Sequence, residues 1–311
     1  MKTAEKTQSN KHGSFDIGGV LVALELGHTD TSNLNYLRFL SDVFHIREMA
    51  VLHVVNKITL FDKALEFDTD PDVLGEYKLN EDVIDEMRAK IMGQFSDKPE
   101  IDIVFDVKEG EPLEQLLHEA DILEPDLILI GQNTDSNAHG ILAKNLVRKV
   151  ACDALIVPKT ATPGIKKILV PIDFSPYSLL ALRKAVAMAD GMSVKPEVIA
   201  LHVYDMPNFS TYKISRSPER FKEMIHANRI EGAGSFIKSN IKDVDVEVKV
   251  DLVARTGPGT GQYVMEYAKK HSADLIVMGA RGHSKVELLL LGSVTEKVLS
   301  SNENIPVLVV K

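Results

Sequence analysis

Three apolar runs recur in the same order in the two halves of the chain, and this recurrence constrains the fold more than any other feature. Val20-Leu-Val-Ala-Leu-Glu25 returns as Ile168-Leu-Val-Pro-Ile-Asp173, and Asp126-Leu-Ile-Leu-Ile-Gly131 returns as Asp274-Leu-Ile-Val-Met-Gly279, both 148 residues further on. Ala50-Val-Leu-His53-Val returns as Ile199-Ala-Leu-His202-Val, 149 residues on. Self-similarity at such a period points to two copies of one structural unit. Within each copy, short β-branched runs alternate with longer segments of helical period, the pattern of parallel strands joined by crossover helices.

The second copy predicts strands near 167–173, 198–204, 246–253, 275–279 and 307–310, with helices near 177–189, 219–240, 261–271 and 293–301. The last helix opens on a serine suited to cap free backbone N–H groups. The first copy predicts strands near 20–25, 50–55, 102–108, 127–131 and 154–157. The expected fold is therefore α/β, with two tandem doubly wound domains that each hold a five-stranded parallel sheet flanked by helices. Lys159-Thr-Ala-Thr-Pro-Gly164 ends in helix- and strand-breaking residues and reads as a linker. It divides a polar tail over 1–14, a first domain over 15–160 and a second over 161–311.

Composition narrows the function. With 311 residues, 44% of them hydrophobic and 26% charged, the chain can build two ordinary cores. A net charge of −9 argues against general affinity for nucleic-acid backbone or anionic lipid. The single cysteine, Cys152, cannot form an internal disulfide, and no Cys/His cluster has zinc spacing, so the reading is a cytoplasmic protein. The polar start followed by Ile17–Leu24 lacks a signal-peptide pattern, and no apolar run approaches the roughly 20 residues of a membrane-spanning helix. The acidic run Asp68-Thr-Asp70-Pro-Asp72 has Val73 and Leu79 where a calcium-binding EF-hand loop needs Gly and Glu, and reads as a solvated loop.

The chemistry concentrates after the fourth strand of the second copy, in Gly279-Ala-Arg281-Gly282, nine further residues, and Gly292-Ser293-Val294-Thr295. Gly279 and Gly282 lack a Cβ, so their backbone can adopt positive φ and approach a ligand closely. Gly292 and Ser293 open a helix whose first N–H groups have no partner within it, a site for an anion. One helix terminus contributes only ~0.3–1 kcal/mol, so several donors must converge to hold a polyphosphate. Each residue alone also has a plain structural role: the glycines as a tight turn, Ser293 as a cap, and Asp173 as a partner of the turn at Ser175.

This spacing of three glycines and a hydroxyl, in a strand-to-helix context, resembles the ATP-binding signature of the universal stress protein family, and the two-copy layout is similar to that of its tandem members. The resemblance implies a strand order of 3-2-1-4-5 in each domain and an ATP site, with Mg2+ as an optional companion. It implies that Pro171, Ile172 and Asp173 meet the adenine together with Val203. Met278 and Gly279 would lie near the ribose, and Arg281, Gly282, Gly292, Ser293, Val294 and Thr295 would surround the phosphates. It further implies pairing of the two domains through their fifth strands, 154–157 and 307–310, and leaves a homodimer as an option.

In the first copy, an offset of 148 places Gly131, Thr134, Lys144 and Asn145 at the four signature positions and Glu25 at that of Asp173. That domain is expected not to bind ATP in the family manner. His53 and His202 read as partly buried structural histidines, His283 as a loop histidine without an orienting partner, and Lys285 as a loop residue that is solvated or complements phosphate charge. The chain has no Gly-x4-Gly-Lys-Ser/Thr loop and no assignable Ser/His/Asp arrangement. The expectation is a nucleotide-binding protein of stress response or regulation rather than an enzyme. The alternatives are a weak ATPase or nucleotidyl-transfer enzyme using the same crevice, and an interaction module that needs no nucleotide.

Overall fold

A computed structural model describes residues 17–27, 30–55, 79–132, 141–206, 218–242, 244–282 and 291–311. The acidic run Asp68–Asp72, together with Thr134, His283 and Lys285, lies outside these residues. The first half contains β1 (Ile17–Leu24), α1 (Asp30–Val43), β2 (Ile46–Val55), α2 (Leu79–Phe95), β3 (Asp102–Glu109), α3 (Pro112–Leu123), β4 (Leu127–Gln132), α4 (Ile141–Lys149) and β5 (Asp153–Pro158). The second contains β6 (Lys167–Pro171), α5 (Pro176–Gly191), β7 (Glu197–Asp205), α6 (Pro218–Asn240), β8 (Val248–Arg255), α7 (Thr260–Lys270), β9 (Leu275–Gly279), α8 (Ser293–Ser301) and β10 (Val307–Val310).

The strands join in one sheet of order β3-β2-β1-β4-β5-β10-β9-β6-β7-β8. Each half thus has the order 3-2-1-4-5, and all pairings within a half are parallel. The two halves meet where β10 runs antiparallel to β5, with Leu308 opposite Leu155. This is an α/β fold with two doubly wound halves. The inner strands have no polar face because helices cover both sides: every residue of β5, β9 and β10 is buried. One core lies on each side of the sheet, and each draws residues from both halves; Leu155 and Leu308 share one, Ile156 and Val307 the other.

The similarity of the halves extends to hydrogen bonds. Asp126 Oδ2 accepts from Gly19 N at 2.9 Å, as Asp274 Oδ2 accepts from Lys167 N at 2.9 Å. His53 Nδ1 meets Leu24 O at 2.8 Å and His202 Nδ1 meets Ile172 O at 2.9 Å. The left-handed conformation, costly for a side-chain-bearing residue, appears at Leu26 (φ 57°) and Phe174 (φ 65°) after the first strand of each half, and at Glu124 (φ 44°) and Ser272 (φ 53°) before the fourth. Both pairs are 148 residues apart. The turn geometry is therefore a property of the unit rather than a local accident.

Several strand bounds shift: β1 begins at Ile17 rather than Val20, β6 ends at Pro171 rather than Asp173, and β8 spans Val248–Arg255 rather than 246–253. The strand expected from Ala50 begins four residues earlier at Ile46, because Ile46 and Met49 are buried and pair with Ile17 and Val20. The polar linker 159–164 is anchored. Ala161 is buried and its N–H donates to Pro158 O at 2.9 Å, while Thr160 Oγ1 donates to Glu303 O at 2.9 Å.

Candidate functional site: the crevice between β6 and β9

Sheet order reverses in the second half between β6 and β9, whose crossovers leave toward opposite faces, and the carboxyl ends of such strands leave a crevice. A cavity of about 280 Å3 opens there. Its lining includes Pro171, Ile172 and Asp173 from the end of β6, Val203 from β7, and Met278 and Gly279 from β9. Arg281 and Gly282 follow from the loop, and Gly292, Ser293, Val294 and Thr295 from the start of α8. All the residues singled out from sequence thus face one space. Ser178, Leu201, Thr260 and Val264 also line it and were not foreseen. Thr260 opens α7, and Ser178 sits in the first turn of α5; only their positions on helix faces bring them here.

Asp173 is set by the turn that follows β6. Ile172 N still donates to Leu201 O at 2.8 Å, continuing the pairing with β7. The chain then turns through left-handed Phe174. Asp173 Oδ1 accepts from Ser175 N at 3.0 Å, and Ser175 caps α5 by accepting from Ser178 N at 3.2 Å. Asp173 is therefore a turn partner, and this turn fixes its half-buried carboxylate at the cavity wall.

The glycines act by close approach. None of Gly279, Gly282 and Gly292 has positive φ, so the conformation open to Gly279 and Gly282 from the sequence is not used. A Cβ on Gly279 would stand 2.8 Å from the carbonyl oxygen of Tyr177, so its absence lets α5 pack on the end of β9. A Cβ on Gly282 would collide with Asp173 Oδ2, and one on Gly292 would stand 3.3 Å from Arg281 Cα. These two glycines bring the loop, the start of α8 and the Asp173 carboxylate within one van der Waals layer.

The start of α8 also differs from expectation. Gly292, not Ser293, is the N-cap, with φ −64° and ψ 139°, and no side chain caps the helix. Ser293 is the first helical residue and is exposed. The first-turn N–H groups of Ser293, Val294 and Thr295 have no acceptor inside the helix, and their end of the helix lines the cavity. Gly292 N donates to Ala280 O at 2.9 Å, and the buried Thr295 hydroxyl donates to Gly279 O at 2.9 Å. Both bonds fasten the helix start to the end of β9. Arg281 supplies the positive charge at this end; its guanidinium lies 5.8 Å from the Tyr177 ring centroid, and Nη1 is 3.4 Å from Tyr177 Oη.

On the opposite face, His202 is buried with Nδ1 on Ile172 O and Nε2 lacking a hydrogen-bond partner. Burial holds its pKa below the ordinary imidazole value. It supports the β6 turn from behind and takes no part in the cavity wall. Among the described residues, no group of three or more His, Cys, Asp or Glu side chains could hold a metal ion, and no helix is long and apolar enough to cross a membrane.

The corresponding place in the first half is built differently, and the counterpart of α8 is not where a constant offset puts it. Helices α4 and α8 are both nine residues long and start 152 residues apart, at Ile141 and Ser293. Lys144 and Asn145 therefore lie inside α4 rather than at the third glycine and the hydroxyl. Ile141, 49% exposed, stands for Ser293, and Ala143 for Thr295, so neither hydroxyl is present. After β1, the buried Asp30 accepts from Glu25 N at 3.0 Å and Gly27 N at 3.1 Å, and Glu25 is left exposed.

The profile of the universal stress protein family matches residues 164–311. One universal stress protein of Methanocaldococcus jannaschii is 36% identical over 146 residues, which span 47% of this chain and 82% of that protein. A second from the same organism is 33% identical over 159 residues, spanning 47% of this chain and 94% of that protein. In fold, the crystal structure of a universal stress protein from Archaeoglobus fulgidus is similar over 94% of this chain and 98% of that chain, with a TM-score of 0.62 at 20% identity. With a relative above 30% identity covered over most of its length, and a likeness of fold along nearly the whole chain, the protein belongs to the universal stress protein family.

Proposed function

We propose that the second half binds ATP in the crevice between β6 and β9, that the first half does not bind it in the same manner, and that the protein serves stress response or regulation in the cytoplasm. The observation that carries this reading is the meeting, in one cavity, of the uncapped first turn of α8, the side-chain-free backbone at Gly282 and Gly292, and the Asp173 carboxylate. Backbone N–H groups of Ser293, Val294 and Thr295, with the Arg281 guanidinium, suit phosphate oxygens. Asp173, beside Pro171, Ile172 and the Val203 strand, offers a carboxylate acceptor to the adenine amino group, while Met278 and Gly279 border the ribose. Mg2+ would be carried by the nucleotide, since the described part of the cavity holds one carboxylate.

In this reading the chain is a tandem repeat of two family domains, 15–160 and 161–311, after a tail over 1–14, and the antiparallel β5–β10 contact makes them an internal pseudo-dimer. The first domain keeps the fold and has lost the hydroxyls at Ile141 and Ala143. Among the described residues of the cavity, no arrangement of nucleophile and base favours turnover.

Calorimetric titration of the nucleotide-stripped protein with Mg-ATP tests the assignment. One ATP bound per chain is expected. Two equivalent sites would overturn the division of labour between the halves, and absence of binding would overturn the ATP reading.

A further inference from the structure

We infer that Thr260 reads the sugar of the nucleotide, so that the crevice of the second half selects ribonucleotides over their deoxy analogues. The inference rests on the ATP reading of that crevice and adds a specificity-determining contact on the wall formed by α7. Thr260 is the first residue of α7 and lines the cavity together with Val264, one turn further along the same helix face. Its side chain is half-buried, and none of the described residues hydrogen-bonds its hydroxyl.

The path that brings Thr260 there is particular to the second half. Val54 and Val203 are counterparts, each following the histidine that bonds the end of the first strand of its half. Val54 is opposite Lys108, and Val203 is opposite Val253. Pro112, the start of α3, follows Lys108 by four residues, whereas Thr260, the start of α7, follows Val253 by seven. The second half thus carries three extra residues before this helix, within Thr256-Gly257-Pro258-Gly259. The longer connection is pinned. Tyr263 Oη accepts from Thr256 N at 3.2 Å and from Gly257 N at 3.1 Å, and Gly259 turns in the left-handed region at φ 92°. The loop takes its shape from its own bonds, so the Thr260 hydroxyl is preorganised at the cavity wall. In the first half the helix starts instead on Pro112, which offers neither a hydroxyl nor an N–H.

Position within the cavity decides what Thr260 meets. The next residue, Gly261, lies against the first turn of α8: a Cβ there would stand 2.9 Å from Val294 O and 2.7 Å from Lys297 Cβ. Thr260 is therefore beside the helix start that suits the phosphates. Val264 is buried and shares the cavity with Leu201 and Val203, an apolar wall that suits the base. A residue between the phosphate end and the base end faces the sugar. The 2′- and 3′-hydroxyls of a ribose can each donate and accept, as the threonine hydroxyl can.

The test is a calorimetric titration of the nucleotide-stripped full chain with ATP, 2′-deoxy-ATP and 3′-deoxy-ATP. Wild type should bind one of the two analogues about tenfold more weakly than ATP, the loss expected for one hydrogen bond. Thr260→Val, which keeps the branched shape, should bind ATP about tenfold more weakly and no longer distinguish that analogue from ATP. Thr260→Ser, which keeps the hydroxyl, should retain the discrimination. Equal affinity of wild type for all three nucleotides would overturn the inference and leave the ATP reading standing, as would undiminished ATP binding by Thr260→Val or a discrimination that survives in it. Absence of ATP binding by wild type would overturn both.

Discussion

Replacing Gly282 by alanine separates the nucleotide site from the stability of the fold. The added Cβ would fall on Asp173 Oδ2 and lie 3.6 Å from its Cγ, both atoms of a half-buried side chain that can swing away. Swinging it breaks the bond from Ser175 N, so the unliganded protein should lose about 1 kcal/mol, the worth of one ordinary hydrogen bond. Binding should suffer more, because the displaced carboxylate no longer faces the adenine. A hydrogen bond to a charged group contributes about 1.5–3 kcal/mol, or roughly 10- to 150-fold in dissociation constant. At ATP about 100 times the wild-type dissociation constant, the stabilisation of ~2.7 kcal/mol in wild type becomes ~0.9 kcal/mol for a thirtyfold loss of affinity. For a half of this size the ATP-induced rise in melting temperature then falls from roughly 5–10 °C to roughly 2–3 °C. Thermal scans of both proteins with and without Mg-ATP read this directly. A full-sized ATP shift in Gly282→Ala would refute the argument that Gly282 and Asp173 share one ligand-facing layer.

Three further outcomes follow from the same geometry. In Gly279→Ala the new Cβ meets backbone atoms of Tyr177 that cannot rotate aside, so α5 must move from β9; urea denaturation should show a loss of about 1–3 kcal/mol even without ligand. His202, held below its unfolded value of about 6.5 by burial, binds fewer protons folded than unfolded, so its contribution is complete above that pH and is lost as pH falls toward the folded value. Urea midpoints between about pH 7.5 and 5 should decline on acidification, with a shallower decline in His202→Asn. Partial burial pushes the Cys152 thiol up to about 11, so alkylation by iodoacetamide at pH 8 should run roughly a hundredfold slower than for an unperturbed thiol and recover on denaturation; a rate close to that of free cysteine would contradict the half-buried placement.

The strands and the cavity residues were legible in the sequence because their signals are local. A strand buried on both faces must be apolar throughout, and a loop meeting phosphate at a helix start must drop its side chains at set intervals. What was not legible depended on distance in space. Gly279 and Gly282 read as places for positive φ and close approach to a ligand, and Gly292 as a helix start, yet each also has something specific against it: Tyr177 at Gly279, Asp173 at Gly282 and Arg281 at Gly292. Ser178 and Thr260 carry no motif and enter the cavity only because α5 and α7 start beside it. The registration of the halves failed between β4 and β5, where the first half is shorter by several residues. The deletion shows in the spacing of the flanking strands, 27 residues from Leu127 to Ala154 against 32 from Leu275 to Val307, and the matched lengths of α4 and α8 place most of it before the helix.

That registration also bears on how the two halves can influence each other. Helix α8 has its uncapped first turn at the nucleotide crevice, while the carbonyl of Leu299 in its last turn accepts from Gln132 Nε2 of the first half at 3.1 Å. Along its side, Glu296 lies 3.9 Å from Arg148 of α4. Nine residues of helix span only about 14 Å and move as one body. If ATP binds as proposed, a shift of that first turn toward a phosphate would carry to the contact with α4 and β4. On that reading, Gln132→Ala, which removes the contact to Leu299 O, should change ATP affinity measured by calorimetry, and unchanged affinity would refute the link.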